Sequence, residues 1–124
     1  MATAPTTTAG PDLTSLGYWD ALNRKSVSRF FLLTALRRKP QHGYELRKSI
    51  AECCPGAEPT DAMIYPTLKL LVDGGYVATE VESIGARTRN VCRLTAKGEE
   101  AFNAAARAWA VMLPHLQKAV DGDC

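Results

Sequence analysis

No stretch of the sequence approaches the roughly 18 consecutive apolar residues that a membrane span needs. The opening Met1-Ala2-Thr3-Ala4-Pro5 lacks the basic and apolar regions of a secretion signal. The chain is therefore expected in the cytoplasm, with no membrane partner. Its four cysteines, Cys53, Cys54, Cys92 and Cys124, include no Cys-x-x-Cys pair, which argues against a finger- or ribbon-type zinc site. Without a secretion signal they are expected as reduced thiols and not as a disulfide framework. Also missing are a nucleophile–base set, a cluster of paired carboxylates and a phosphate-cradling glycine loop. An enzyme is not expected, and no cofactor is required. Residues 1–16 contain neither Lys nor Arg, which argues against a basic minor-groove arm. Rich in Thr, Ala and Pro and poor in large apolar side chains, they read as a disordered arm.

What is present suits one small core in 124 residues, with room for a partner subunit to complete it. The net charge of +2 hides an asymmetry. Between Arg24 and Arg93 there are 12 Lys/Arg against 7 Asp/Glu, while the two ends together carry 3 against 6. A polyanionic partner would meet the middle of the chain.

Hydrophobic periodicity predicts four helices and a hairpin. The first helix is expected from Trp19 to Arg38, with Val27, Phe30, Phe31, Thr34 and Leu36 as its apolar stripe and Pro40 behind its basic end. A second should start around His42-Gly43-Tyr44 and run to Glu52, with Leu46 and Ile50 inward, Arg47 and Lys48 outward and Tyr44 packed between helices. Cys53-Cys54-Pro55-Gly56 breaks it. Thr60 is the expected N-cap of a third helix, buried through Ile64, Leu68, Leu71 and Val72, with a loosened first turn at Pro66. Residues 76–82 and 89–94 read as two strands around a tip at 83–88. Thr95 should cap a last helix, striped by Phe102, Ala105, Ala106, Trp109, Met112 and Leu116, which Pro114 kinks or stops ahead of a frayed tail.

Three helices, a hairpin and a final helix make a mainly α fold with a small β-hairpin: a winged helix-turn-helix over residues 17–94, then a long C-terminal helix and tail over 95–124. In such modules the second helix of the helix-turn-helix enters the major groove. Basic residues at a wing tip, here Arg87 and Arg89, suit phosphate oxygens through the geometry and permanent charge of guanidinium.

Particular residues carry a resemblance. His42-Gly43-Tyr44-Glu45-Leu46, Ile64-Tyr65-Pro66-Thr67-Leu68-Lys69-Leu70-Leu71 and Gly75-Tyr76-Val77 resemble the PadR family of transcription regulators. So do Gly85-Ala86-Arg87-Thr88-Arg89 and Arg93-Leu94-Thr95-Ala96-Lys97-Gly98. The single last helix resembles the short subfamily, in which that helix makes the dimer. The resemblance implies a homodimer on a pseudo-palindromic stretch of double-stranded DNA, acting as a repressor that an effector releases. It turns Tyr65 and Lys69 toward the DNA and sets Arg87 and Arg89 on phosphates. Thr60, Ala62 and Thr67 complete the expected DNA face. Trp109 falls where some drug-binding members line a flat pocket at the dimer seam. The chain departs from the family at Val91-Cys92, where aromatics are frequent, at the adjacent Cys53-Cys54, and at Pro114.

These departures leave two effector chemistries open. Adjacent thiols at Cys53 and Cys54 suit a thiophilic metal or metalloid ion, with Cys92 or Cys124 of either subunit as a third donor. A flat organic ligand at Trp109 is the other. Set against both, free cysteines pack as small hydrophobes, and Trp109 at helical spacing packs a dimer core. The competing reading of the whole is a winged-helix protein-interaction module that does not bind DNA.

Overall fold

Helix α1 (Leu16–Arg38) is the spine of the fold, and a computed structural model describes the chain over residues 10–123. Residues 1–9, most of the expected disordered arm, and Cys124 lie outside the described residues. After α1 come strand β1 (Gln41–His42), a single 3-10 turn (Gly43–Glu45), α2 (Leu46–Cys53) and α3 (Asp61–Asp73). Strands β2 (Val77–Ile84) and β3 (Arg87–Leu94) form the hairpin, and α4 (Ala96–Asp121) closes the chain. The sheet is antiparallel in the order β1-β3-β2.

Leu32, Leu33, Ala35 and Leu36 of α1 pack with Leu46 and Ile50 of α2, Ile64 and Leu71 of α3, Val77 of β2 and Cys92 of β3. The apolar stripe expected on α1 is therefore displaced. Only Leu36 of that set is fully buried, while Phe30 and Phe31 sit half-buried on the side toward α4. The reason is that α1 is enclosed on more than one side, by α2, α3, β3 and α4, so one stripe does not describe it.

Three further expectations are corrected. The expected second helix is split, because the backbone N–H of His42 donates to the Glu45 carboxylate at 2.9 Å and a 3-10 turn precedes α2. The tip is shorter than six residues: Ser83 pairs with Thr88 and Ile84 with Arg87, leaving only Gly85-Ala86 to turn. Gly85 has φ +63° and no other residue there is positive, the pattern of a type II′ hairpin turn that matches strand twist. Finally, α4 runs 26 residues straight through Pro114. The carbonyl deprived of its donor is that of Ala110, an exposed residue on the side of α4 away from the core. The helix ends at Gly122, in the left-handed region at φ +76°, where Asp123 N donates to Lys118 O at 2.9 Å. Helix α3 also runs on past Pro66, as its apolar spacing predicts.

The two helix starts differ. The Thr95 hydroxyl accepts from Gly98 N at 3.1 Å and donates to Gly75 O at 2.7 Å, joining α4 to the turn after α3. Thr60 occupies the N-cap position of α3, but its side chain makes no capping bond.

Candidate nucleic-acid interface

The helix-turn-helix is α2 and α3, and the wing is the β2–β3 hairpin. Between them opens a cleft of about 440 Å³ edged by His42, Tyr44, Tyr65, Arg89 and Asn90. Tyr65 leaves α3 half exposed, at 50%. Tyr44, on the 3-10 turn, is 60% exposed and does not pack between helices as expected. Its ring stacks on His42 with centroids 5.3 Å apart and planes 2° from parallel. Its hydroxyl accepts from Arg89 Nη1 at 2.7 Å. His42 is held in turn by the carbonyl of Asn90, 3.1 Å from its Nδ1, and its Nε2 lies 4.0 Å from the Glu82 carboxylate. The turn that begins the helix-turn-helix is thereby tied to the tip-side half of the wing.

The expected DNA-facing residues separate into groups. Tyr65 and Lys69 are one turn apart on α3 and share a face. Lys69 Nζ bridges to Asp73 at 2.7 Å, with both side chains largely in water, where such a pair contributes little and yields to a stronger anion. Thr60 and Ala62 are exposed at the start of α3. Thr67 lies roughly 200° around the helix from Tyr65 at 100° per residue, and with Ala62 it lines a groove against α1 at Lys25, Ser26 and Arg29. Arg87 is exposed beside the hairpin turn, without an ion-pair partner among the described residues. Arg89 lies opposite Glu82, and Arg93 pairs with Glu80 at 3.1 Å. The residues that sequence reasoning missed are His42, Tyr44 and Asn90. The one signal was the His-Gly-Tyr run itself, which reads equally well as a helix entry.

The thiols divide too. Cys53 is exposed and Cys54 half-buried at the end of α2. They border an apolar cavity of about 150 Å³ between α1, α2 and α4, walled by Phe30, Phe31, Ile50 and Phe102. Its hydrogen bond with Cys53, and then burial, push the Cys54 thiol up from its ordinary value, while Arg38 pulls the other way. Cys92 is not with them. It is 3% exposed in the central strand between Gln41 and Thr79, and burial raises its thiol as well. Cys124 lies outside the described residues, among which no three His, Cys, Asp or Glu side chains gather as a metal-ligating group. Trp109 is half-buried and stacks on Phe30 at 6.5 Å, and Phe30 stacks on Phe102 at 5.7 Å. The shelf expected at Trp109 and the cavity beneath Cys53-Cys54 thus share Phe30 as a wall.

No helix is long and apolar enough to cross a membrane among the described residues. No curated protein matches the chain. Solved structures do. A PadR family regulator from Eggerthella lenta matches with a TM-score of 0.68 at 25% identity, over 86% of this chain and 97% of that one. A protein from Streptococcus mutans matches with a TM-score of 0.68 at 23% identity, over 81% and 92%. Bacillus subtilis PadR, solved in complex with operator DNA, matches with a TM-score of 0.58 at 23% identity, over 64% of this chain and 46% of that one. These likenesses agree with the winged-helix fold. The family described as transcriptional regulator PadR-like matches residues 32–104, from the middle of α1 through the wing into α4 and more than half of the sequence, so the chain belongs to the PadR-like family of transcriptional regulators.

Proposed function

We propose that the chain binds double-stranded operator DNA in the cytoplasm as a homodimer and represses transcription until an effector releases it. The observation that carries this reading is the cleft between α3 and the wing, where exposed Tyr65 and Tyr44 stand beside Arg89. In this reading α3 enters the major groove with Tyr65 and Lys69, and with Thr60 and Ala62 at its start, while Thr67 stays on the side toward α1 and Arg87 and Arg89 neutralise phosphates. Residues 17–94 act as the DNA-binding unit and 95–124 as the dimerisation segment. The dimer is supported by α4, where Met112, Leu113, Leu116 and Val120 leave an apolar stripe in water beyond Trp109. Exposed Leu16, Trp19 and Leu22 add to it from the start of α1. A second copy would cover both and set two α3 helices about 34 Å apart, one turn of DNA. The effector acts where the last helix meets the winged unit: a thiophilic metal or metalloid at Cys53-Cys54, or a flat organic molecule at Trp109.

The test is fluorescence anisotropy of the reduced chain on a labelled fragment from upstream of its own gene, repeated across salt concentrations. Tight binding that falls steeply with salt is the expected result, because each phosphate contact releases counterions. No binding at low salt would overturn the reading. It would favour a protein-interaction module, for which exposed Val81 and Ile84 on β2 are the supporting feature.

A further inference from the structure

The Cys53-Cys54 pair and the cavity beneath it pose a question of valence. An inorganic trivalent arsenic or antimony centre is satisfied by three thiol sulfurs. Here two are adjacent, Cys92 is buried in the central strand elsewhere, and no three-ligand group exists among the described residues. A centre that already carries one carbon substituent needs only two. The cavity under the thiols fits such a substituent. It measures about 150 Å³ and is walled by Phe31, Ile50 and Phe102, with Thr34 and Arg38 also at its edge. In another protein an apolar cavity of about 150 Å³ takes up benzene.

We infer that Cys53 and Cys54 capture a monoaryl trivalent arsenical, with arsenic on the two sulfurs and the aromatic ring in the cavity between α1, α2 and α4. The balance is simple. An aryl arsenous acid, ArAs(OH)2, loses both hydroxyls. Two As–O bonds break and two As–S bonds form, the two thiol protons leave in two waters, and arsenic stays trivalent, so no oxidant or reductant is needed. The exposed Cys53 meets the ligand first, and the half-buried Cys54 closes the ring. Seated there, the aryl group presses on Phe102 at the root of α4 and on α2. This deepens the effector reading above and rests on it only for the consequence at DNA, not for capture itself.

The experiment uses the reduced full chain, without DNA, and phenylarsine oxide, which hydrates to the arsenous acid. Free thiols are titrated, intact mass is measured, and affinity is read against a competing dithiol. The expected result is the loss of two of the four thiols, one phenylarsenic gained per chain, and affinity at least tenfold above that for sodium arsenite. Cys53→Ser and Cys54→Ser should each abolish capture. Thr34→Leu, which fills the cavity, should lower affinity for phenylarsine oxide about tenfold and leave arsenite unchanged. A para-tert-butyl phenyl analogue, with added bulk at the ring end the cavity receives, should bind the unaltered chain more weakly than the phenyl compound, which keeps the test independent of how Thr34→Leu folds. Two thiols still lost in Cys53→Ser would overturn the proposal. So would equal affinity for the phenyl and tert-butyl compounds. Adding operator DNA afterwards separates the two readings: capture without release of DNA counts against the repressor mechanism alone.

Discussion

Arg89 donates to the phenol oxygen of Tyr44 at 2.7 Å across 45 positions of sequence, so a wing cation is aimed by a residue of the helix-turn-helix entry. The bond is exposed, and its worth lies in orientation more than in fold stability. Tyr44→Phe keeps the ring stack on His42 and removes the acceptor. The expected outcome is an operator affinity about three- to tenfold lower, in line with a hydrogen bond to a charged group weakened by exposure. The salt dependence should be unchanged, since no charge is lost. Anisotropy titrations of both proteins across potassium chloride concentrations check both points.

Arg87 is a different case, because it stands at the wing tip with no ion-pair partner among the described residues. Arg87→Ala should weaken binding to specific and random DNA alike. The slope of log affinity against log salt should become shallower by about 0.9, the release from one phosphate. A slope equal to that of the unaltered chain would remove Arg87 from the contact set.

Gly98 is buried in the first turn of α4, and a methyl group there would collide with the Tyr76 carbonyl and the Leu94 side chain. Backbone cannot move aside as a flexible side chain can. Gly98→Ala should cost about 1–3 kcal/mol through overpacking. Each kcal/mol lowers Tm by about 4 °C in a chain of this size. Calorimetry on the two proteins would show it, and an equal Tm would contradict the close approach.

Cys92 gives a pH prediction. Burial raises its thiol above the ordinary value, so between the unfolded and folded values the native state holds a proton that the unfolded state has lost. Its contribution to stability is complete below the unfolded value and declines as pH rises above it. Denaturant midpoints should therefore fall at alkaline pH in part through this residue, and Cys92→Ala should flatten that fall. At neutral pH iodoacetamide should label exposed Cys53 well before Cys92.

Leu116→Glu places a charge in the exposed apolar stripe of α4. In the dimeric reading it should shift the assembly to monomer in sedimentation equilibrium, with little change in the helix content of the monomer.

The order of elements was legible because helix stops, the two strand runs and the motif spacing are local signals. The His-Gly-Tyr and Tyr-Pro-Thr-Leu-Lys runs led to the family for the same reason. The misreadings have tertiary causes. Strand β1 is two residues long, and only its pairing with Val91 and Cys92 makes it a strand. Pro114 looked like a stop because sequence does not say whether the carbonyl it frees faces water. Tyr44 looked like a packing residue because its partner Arg89 becomes adjacent only when the wing folds back. The cavity beside Cys53 and Cys54 takes walls from three helices, which no window of sequence spans.

The continuity of α4 through Pro114 has a mechanical consequence. Twenty-six residues in one rod reach about 39 Å at 1.5 Å per residue. Anchored at its root by Phe102 and Gly98, such a rod is a lever: a tilt of about 5° there swings its far end by about 3 Å. A hinge at Pro114 would have absorbed that motion over the last third of the helix. An unbroken helix delivers it whole, so a shift of about 0.5 Å one turn from the pivot becomes, at the tip, a displacement comparable to the rise of one base pair.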